Sequence, residues 1–267
     1  MLFRSIYEAW NDKMWDNCSG VMIWMSNPCW PSLVWNTYDY YLEPTGAYFG
    51  CRKACEPVHI QWSVASNDVK VVNCTLKPLH AVRAEALVFN LDGSLHLKKS
   101  ATLDCPSNDT RSCFSLFAGD DLKSPRLSDV HFIRLQLKDG AGHTLSDNFY
   151  WNAKEVWKYG DLAAMRKVDL SGWVKKAQDG ETWKITVNVA NPNKGVALMV
   201  RLKVVDPVSG LLVAPIIYSD NYFSLVPDES RQVGIEYRAK KVLGKEVKVM
   251  VEGWNVTPKE LLSTQNS

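Results

Sequence analysis

The sequence predicts a mainly β protein: two β-sandwich domains in tandem, preceded by a short α/β piece. Three observations carry this. Two series of about seven short alternating segments run from residue 58 onward. The composition shifts at Glu56-Pro57, and the stretch before it, which holds Trp10, Trp15, Trp24, Trp30 and Trp35, shows one helical period and one wholly apolar run. A length of 267 residues suits two domains, or two and a piece.

At the start of the chain, Phe3, Ile6, Tyr7, Trp10 and Met14 recur at helical spacing, so a helix with one apolar face is expected to end near Asn17. Gly20-Val21-Met22-Ile23-Trp24-Met25 follows, and a short run this apolar is the form of a parallel strand buried on both faces. Pro28 and Pro31 break it, because each removes a backbone donor and restricts the residue before it. A second short helix is expected over residues 46–54. Helix, strand, long loop and helix make one and a half α/β units, which cannot close a sheet or barrel alone.

In the first sandwich, strands are expected over 59–63, 69–75, 81–90, 94–100, 112–117, 130–137 and 144–151. Ala84, Ala86 and Val88 mark one face, and Asp92-Gly93 supplies a hairpin turn. Residues 157–167 read as a linker. The second series is expected over 168–174, 182–191, 197–206, 212–218, 222–225, 230–237 and 246–254, with Ile185, Val187 and Val189 facing inward and Lys184, Thr186 and Asn188 outward.

Composition excludes several function classes. Thirty-one basic against 29 acidic residues, scattered and not clustered, give no nucleic-acid surface. No apolar run is long enough to span a bilayer, and the first residues lack a signal-peptide core, so export would be encoded elsewhere. Seven cysteines include no CxxC pair; Cys51 and Cys55, four apart in a helix, suit packing better than a disulfide, and Cys105 and Cys113 could close a loop. His59, His80, His96, His131 and His143 show no metal-ligand spacing, and Gly140-Ala141-Gly142 is a turn and not a phosphate loop. Neither metal nor cofactor is expected. Four sequons begin at Asn17, Asn73, Asn108 and Asn255, of which about two would arise by chance if roughly one residue in eight is Ser or Thr, and they leave the compartment open.

Three stretches then point to a family: residues 20–42, from Gly20 through Trp24, Asn27, Trp30 and Trp35 to Leu42; Gly46-Ala47-Tyr48-Phe49-Gly50; and Glu56-Pro57-Val58-His59-Ile60. Toward the other end come Tyr218-Ser219-Asp220-Asn221-Tyr222-Phe223 and Val251-Glu252-Gly253-Trp254-Asn255. Together they resemble the C-terminal part of glycoside hydrolase family 2, in the branch of exo-β-D-glucosaminidases and plant-type mannosylglycoprotein endo-β-mannosidases. The resemblance implies two immunoglobulin-like β-sandwiches (57–156 and 157–267) preceded by the last β/α unit of a truncated (β/α)₈ barrel (1–56). It implies a retaining glycosidase acting on β-linked mannosyl or glucosaminyl oligosaccharides, with a lean toward a secreted or vacuolar parent. In the family both catalytic carboxylates lie on earlier barrel strands, so Glu8, Asp12, Asp16, Asp39, Glu43 and Glu56 receive no catalytic role and the chain alone is expected to be inactive. Its partners would be the sugar and the rest of the barrel.

Barrel active sites sit at the C-terminal strand ends, which places residues 24–35 at the rim of the sugar pocket. Asn27, Trp30, Trp24 and Trp35 are the candidate substrate-binding residues: an indole can stack on a sugar's apolar face, and an amide can exchange hydrogen bonds with hydroxyls. Trp24 serves equally well as core. Packing or loop fixing ranks ahead of sugar contact for Trp35, Tyr38 and Asp39, and a fixed corner ranks ahead of sugar binding for residues 218–222. Two other readings stand: a noncatalytic carbohydrate-binding or adhesion module of paired sandwiches, and sandwiches that only space other domains.

Overall fold

A computed structural model describes residues 2–16, 18–32, 36–238 and 247–263. The chain divides into two compact units: Met1–Trp24 with Gly50–Ala164, and Met25–Phe49 with Met165–Ser267. Each unit thus combines one sandwich with a piece of the N-terminal stretch.

In the first unit, β1 (Val58–Ser63), β2 (Asp68–Asn73) and β5 (Asp109–Ser115) form one antiparallel sheet in the order β1-β2-β5. β3 (Leu79–Asn90), β4 (Leu95–Cys105), β6 (Val130–Lys138) and β7 (Thr144–Ala153) form the other, in the order β4-β3-β6-β7. Ile60, Trp62, Val69 and Val71 from the first sheet meet Ala84, Ala86, Val88, Ile133 and Leu135 from the second in one core. Each Val, Leu or Ile so buried contributes about 1.5–3 kcal/mol. The hairpin at Asp92-Gly93 forms as its residues dictate: Gly93 takes φ 90°, and the Ser94 amide donates to Asp92 Oδ1 at 2.9 Å.

The second unit pairs the sheet β11-β13-β9-β8 with the sheet β12-β10-β14-β15. The strands are β8 (Ser171–Asp179), β9 (Thr182–Ala190), β10 (Ala197–Val205), β11 (Ile217–Tyr218), β12 (Phe223–Leu225), β13 (Ser230–Arg238), β14 (Lys248–Glu252) and β15 (Lys259–Leu261). Ile185, Val187 and Val189 of β9 are buried against Val200, Leu202 and Val204 of β10 in a single core. The expected strand over 212–218 contracts to two residues, and β15 is an addition that alternation over so short a segment did not reveal.

Two expectations for the N-terminal stretch fail. α1 (Leu2–Asn11) stops sooner than its apolar period, and the face it buries is polar: Glu8 is 4% exposed, while Ile6 and Trp10 are 39% and 42% exposed. Residues 20–25 form no strand. Met25 adopts φ 65°, which ends an extended run, and among the described residues no ladder partner lies beside Val21, Met22 or Ile23. α2 (Gly46–Ala54) forms as expected.

The motifs near the C-terminus owe their residue types to backbone satisfaction. Asn255 accepts from the Leu198 amide at 2.9 Å and donates to the Arg166 and Val196 carbonyls at 2.9 and 2.8 Å. A side chain at Gly253 would meet Val256 Cγ2 at 2.8 Å and the Leu198 carbonyl at 3.0 Å. Asn221 clasps Leu202 through both its backbone groups, at 2.8 and 3.0 Å, and Asp220 pairs with Arg231 at 2.5 Å, so residues 218–222 are a fixed corner. Asn255→Ala would strand three buried backbone groups and is expected to lower the stability of the second unit by about 2–4 kcal/mol. Urea unfolding measures this, and a loss within about 0.5 kcal/mol, the range of ordinary surface substitutions, would contradict the role.

Candidate functional site

Five of the six acidic residues ahead of the first sandwich, Glu8, Asp12, Asp39, Glu43 and Glu56, hold structure through their side chains. Glu8, on α1, turns toward β1 and β7, and its Oε1 accepts from Asn148 Nδ2 at 2.7 Å and the Tyr150 hydroxyl at 2.9 Å, with His59 Nε2 at 3.0 Å. Arg4, one turn earlier, lies with Nε 3.7 Å from the same oxygen, donates to the Phe149 carbonyl at 2.6 Å and stacks 4.4 Å above the Tyr150 ring. Gln61 Nε2 donates to the Glu8 carbonyl at 2.9 Å, and Asn11 donates to the Ala54 carbonyl at 2.8 Å. Asp12 pairs with Lys70 and accepts from Ser63 at 3.2 Å. On the far side of His59, Glu56 lies 3.4 Å from Nδ1, accepts from Ser146 at 2.8 Å and pairs with Lys53 at 2.8 Å.

This arrangement explains the burial of β1 on both faces. Ile60 and Trp62 face the core, while His59, Gln61 and Ser63 face α1 and find polar partners there. The electrostatics follow from the same contacts. Burial, the largest single influence on His59, favours the neutral ring, yet hydrogen bonds to Glu56 and Glu8 outweigh it and hold the imidazole above its ordinary pKa. Burial also opposes the Glu8 charge, but the hydrogen bond to His59 and the Arg4 charge prevail and keep the carboxyl below its usual range.

The candidate rim residues fall in different units. Trp24 lies in the first, 80% exposed. Asn27 and Trp30 lie in the second, both exposed, with Trp30 at 65%. Trp35 is outside the described residues. The loop carrying Asn27 and Trp30 is tied down on either side. Ser26 Oγ donates to Asn27 Oδ1 at 3.1 Å, and the Ser26 carbonyl accepts from the Tyr38 amide at 2.8 Å and Thr37 Oγ1 at 2.9 Å. The Thr45 amide donates to the Thr37 carbonyl at 2.9 Å, and Asp39 Oδ1 accepts from the Tyr41 and Glu43 amides, each at 2.9 Å. Tyr38 packs on Tyr48, with ring centroids 5.1 Å apart. Tyr38 and Asp39 therefore fix the loop, the reading ranked first for them. Sequence reasoning missed His59 as a buried partner of two carboxylates, and Arg201 on β10, which pairs with Glu43 and Glu252.

Of the three sequons whose asparagine is described, two are spent on structure. Asn73 donates to the Lys77 and Pro106 carbonyls at 2.8 and 2.9 Å, and Asn255 is buried as above. Asn108 is exposed. All seven cysteines are free thiols. Among the described residues no group of three or more His, Cys, Asp or Glu is placed to hold a metal, and no helix is long and apolar enough to cross a membrane.

The two sandwiches match two family models. Residues 66–154 match a mannosidase Ig/CBM-like domain, and residues 148–256 match the exo-β-D-glucosaminidase Ig-fold domain. The chain belongs with the C-terminal domains of glycoside hydrolase family 2. It is similar to the exo-β-D-glucosaminidase of Streptomyces avermitilis, with 33% identity over 94% of this chain and 30% of the relative. The mannosylglycoprotein endo-β-mannosidase of Lilium longiflorum is 26% identical over 95% of this chain and 32% of its own length. Among solved structures, the exo-chitosanase of Amycolatopsis orientalis superposes with a TM-score of 0.86 at 26% identity, over 97% of this chain and 33% of that one. The chain thus spans about a third of the length of these family 2 relatives.

The buried Glu8–His59 pair gives unit 1 a defined pH response. Glu8, with its folded pKa depressed, contributes stability that is present above the ordinary glutamate value and lost as pH falls through the folded value. His59, with its folded pKa raised, contributes stability fully present below about pH 6.5 and lost as pH rises through the folded value. His131, pushed down to about 4 by burial, acts on the acid side. His59→Gln is expected to destabilise the first unit and to abolish the decline above pH 6.5. Denaturant midpoints at pH 6.5 and 8 check this; equal slopes in wild type and variant would contradict it.

Proposed function

We propose that this chain is the C-terminal portion of a retaining family 2 glycosidase, of β-mannosidase or exo-β-glucosaminidase type. The whole protein acts on β-linked mannosyl or glucosaminyl oligosaccharides, and the portion described here has no hydrolytic activity by itself. Residues 1–56 complete a (β/α)₈ barrel, and residues 57–156 and 157–267 form the two sandwiches behind it. The chemistry requires two carboxylates about 5–5.5 Å apart, one attacking the anomeric carbon and one protonating the leaving oxygen. In this reading that pair lies on earlier barrel strands, as the family resemblance implies, and Glu8, Asp12, Asp39, Glu43 and Glu56 serve structure.

The observation that carries this reading is the surface left by α1. Its polar face is docked and satisfied, while Ile6 and Trp10 on the helix, and Trp15, Met22, Ile23 and Trp24 after it in the same unit, are exposed at 39–96%. This many exposed large apolar side chains in one short stretch suit a surface that another body covers. In this reading the occupant is the remainder of the barrel domain. Asn27 and Trp30 then face the sugar.

Two measurements test the reading. The chain alone is expected to leave aryl β-glucosaminides and β-mannosides intact, whereas the full-length parent hydrolyses one of them; turnover by the isolated chain would contradict it. In the parent, Asn27→Ala and Trp30→Ala are each expected to raise KM about tenfold, equivalent to about 1.4 kcal/mol of lost sugar binding. An unchanged KM in both would remove these residues from the rim.

A second reading, a noncatalytic carbohydrate-binding module, is favoured by one feature. A cavity of about 490 Å³ in the second unit is lined by Asp39, Tyr41, Glu43, Leu211 and Tyr218 among others. Calorimetric titration of the chain with chitosan oligomers and mannosyl-chitobiose separates the readings: saturable binding lost in Tyr41→Ala would favour the module.

A further inference from the structure

We infer that Arg201 and Glu43 form a latch by which the second sandwich sets the position of the sugar-facing loop, making both of them positioning residues for the reaction. This rests on the reading of Asn27 and Trp30 as rim residues.

Arg201 stands in the middle of β10, directly opposite Glu252 of β14 in the antiparallel register. Its Nη1 donates to Glu252 Oε1 at 3.1 Å, and Lys203 pairs with the other oxygen of Glu252 at 2.6 Å. Glu252 is therefore already neutralised from within the sheet. The second terminal nitrogen of Arg201 is free to reach out of the sandwich, and it holds Glu43. The Tyr222 ring lies 5.6 Å beneath the guanidinium, and Glu43 and Arg201 side chains are only 15% and 25% exposed, so the pair is shielded from the screening that weakens surface ion pairs. Arg201 Nε is buried without a partner. The side chain thus keeps both terminal nitrogens on carboxylates at the expense of a third hydrogen bond.

From Glu43 the connection to the rim is a series of direct contacts within this unit. The Asp39 amide donates to the Glu43 carbonyl at 3.0 Å, and Glu43 donates back to Asp39 Oδ1, closing residues 39–43 into a compact loop. Tyr38 bridges Pro44, and Thr45 ties to Thr37. Tyr38 and Thr37 together hold the Ser26 carbonyl, and Ser26 holds Asn27. Nothing in a purely structural account of a β-sandwich requires β10 to extend a charged fork to a segment more than 150 residues earlier in the chain. If the latch opens, the sandwich remains closed by its own core, and the loop loses its charged tie to β10.

The test uses the full-length parent and a variant outside the sandwich, Glu43→Ala, with Lys203→Gln as a control that spares the loop. Glu43→Ala is expected to raise hydrogen exchange at the Tyr38 amide and to raise KM about tenfold, with kcat within about twofold and thermal unfolding of the second unit unchanged. Arg201→Lys, which keeps the charge but not the fork, should fall between wild type and Glu43→Ala. Lys203→Gln should match wild type. Unchanged Tyr38 exchange in Glu43→Ala would overturn the latch regardless of activity. Faster exchange with unchanged KM, in an enzyme where Asn27→Ala does raise KM, would overturn the positioning role alone. If Asn27→Ala and Trp30→Ala leave KM unchanged, the rim reading fails and the positioning role falls with it.

Discussion

One carboxylate oxygen, Glu8 Oε1, organises the N-terminal half of the first unit. A buried anion is tolerable only when surrounded by donors, and Asn148, Tyr150 and His59, with Arg4 close by, surround this one. That requirement fixes which way α1 rolls: the helix lies with Arg4 and Glu8 against β1 and β7, and its indole and isoleucine side chains consequently turn away from the sandwich. The same contact explains the chemistry of β1. His59, Gln61 and Ser63 would face water in an uncovered sandwich, and here they are the floor on which a polar helix face rests. The first sandwich is thus a mount for a helix that leaves Ile6 and Trp10 partly exposed.

The second unit solves a similar problem with a different device. The segment before α2 and α2 itself meet its sandwich through Tyr48 and Phe49, which pack against its core, and through the Glu43–Arg201 pair. Its C-terminal motifs, which carry the family resemblance, are built around contacts to the backbone. Asn221 and Asn255 each satisfy buried backbone groups where strands end, and Gly253 allows two segments to approach closely. Sequence motifs recognisable across a family of enzymes can therefore report the joints of a supporting domain.

Much of the fold was legible because alternation reports burial directly when one face of a strand is solvated. Ala84, Ala86 and Val88, and likewise Ile185, Val187 and Val189, lie inside as their spacing predicts. What was illegible depended on partners far away in the chain. The polar residues of β1 gave no sign of their partners, because the helix that covers them brings its own polar groups and leaves no apolar signal. The apolar period of α1 predicted a buried face, but the face that docks is the one carrying Glu8. The apolar run 20–25 carries the composition of an interior strand, yet a strand needs neighbours for its backbone, and the described residues supply none. Of the candidate rim residues, Asn27 and Trp30 are exposed on an anchored loop. Arg201, which anchors it, looked like any outward-facing polar residue of a strand.

If this chain completes a larger catalytic domain, as proposed, the exposed apolar side chains between Ile6 and Trp24 are covered by the rest of that domain. Oxidative footprinting of the side chains of Trp10, Met22 and Trp24, compared between this chain and the full-length parent under identical conditions, measures that coverage directly. The account predicts rapid modification in the isolated chain and strong protection of all three in the parent. Equal modification in both would contradict it.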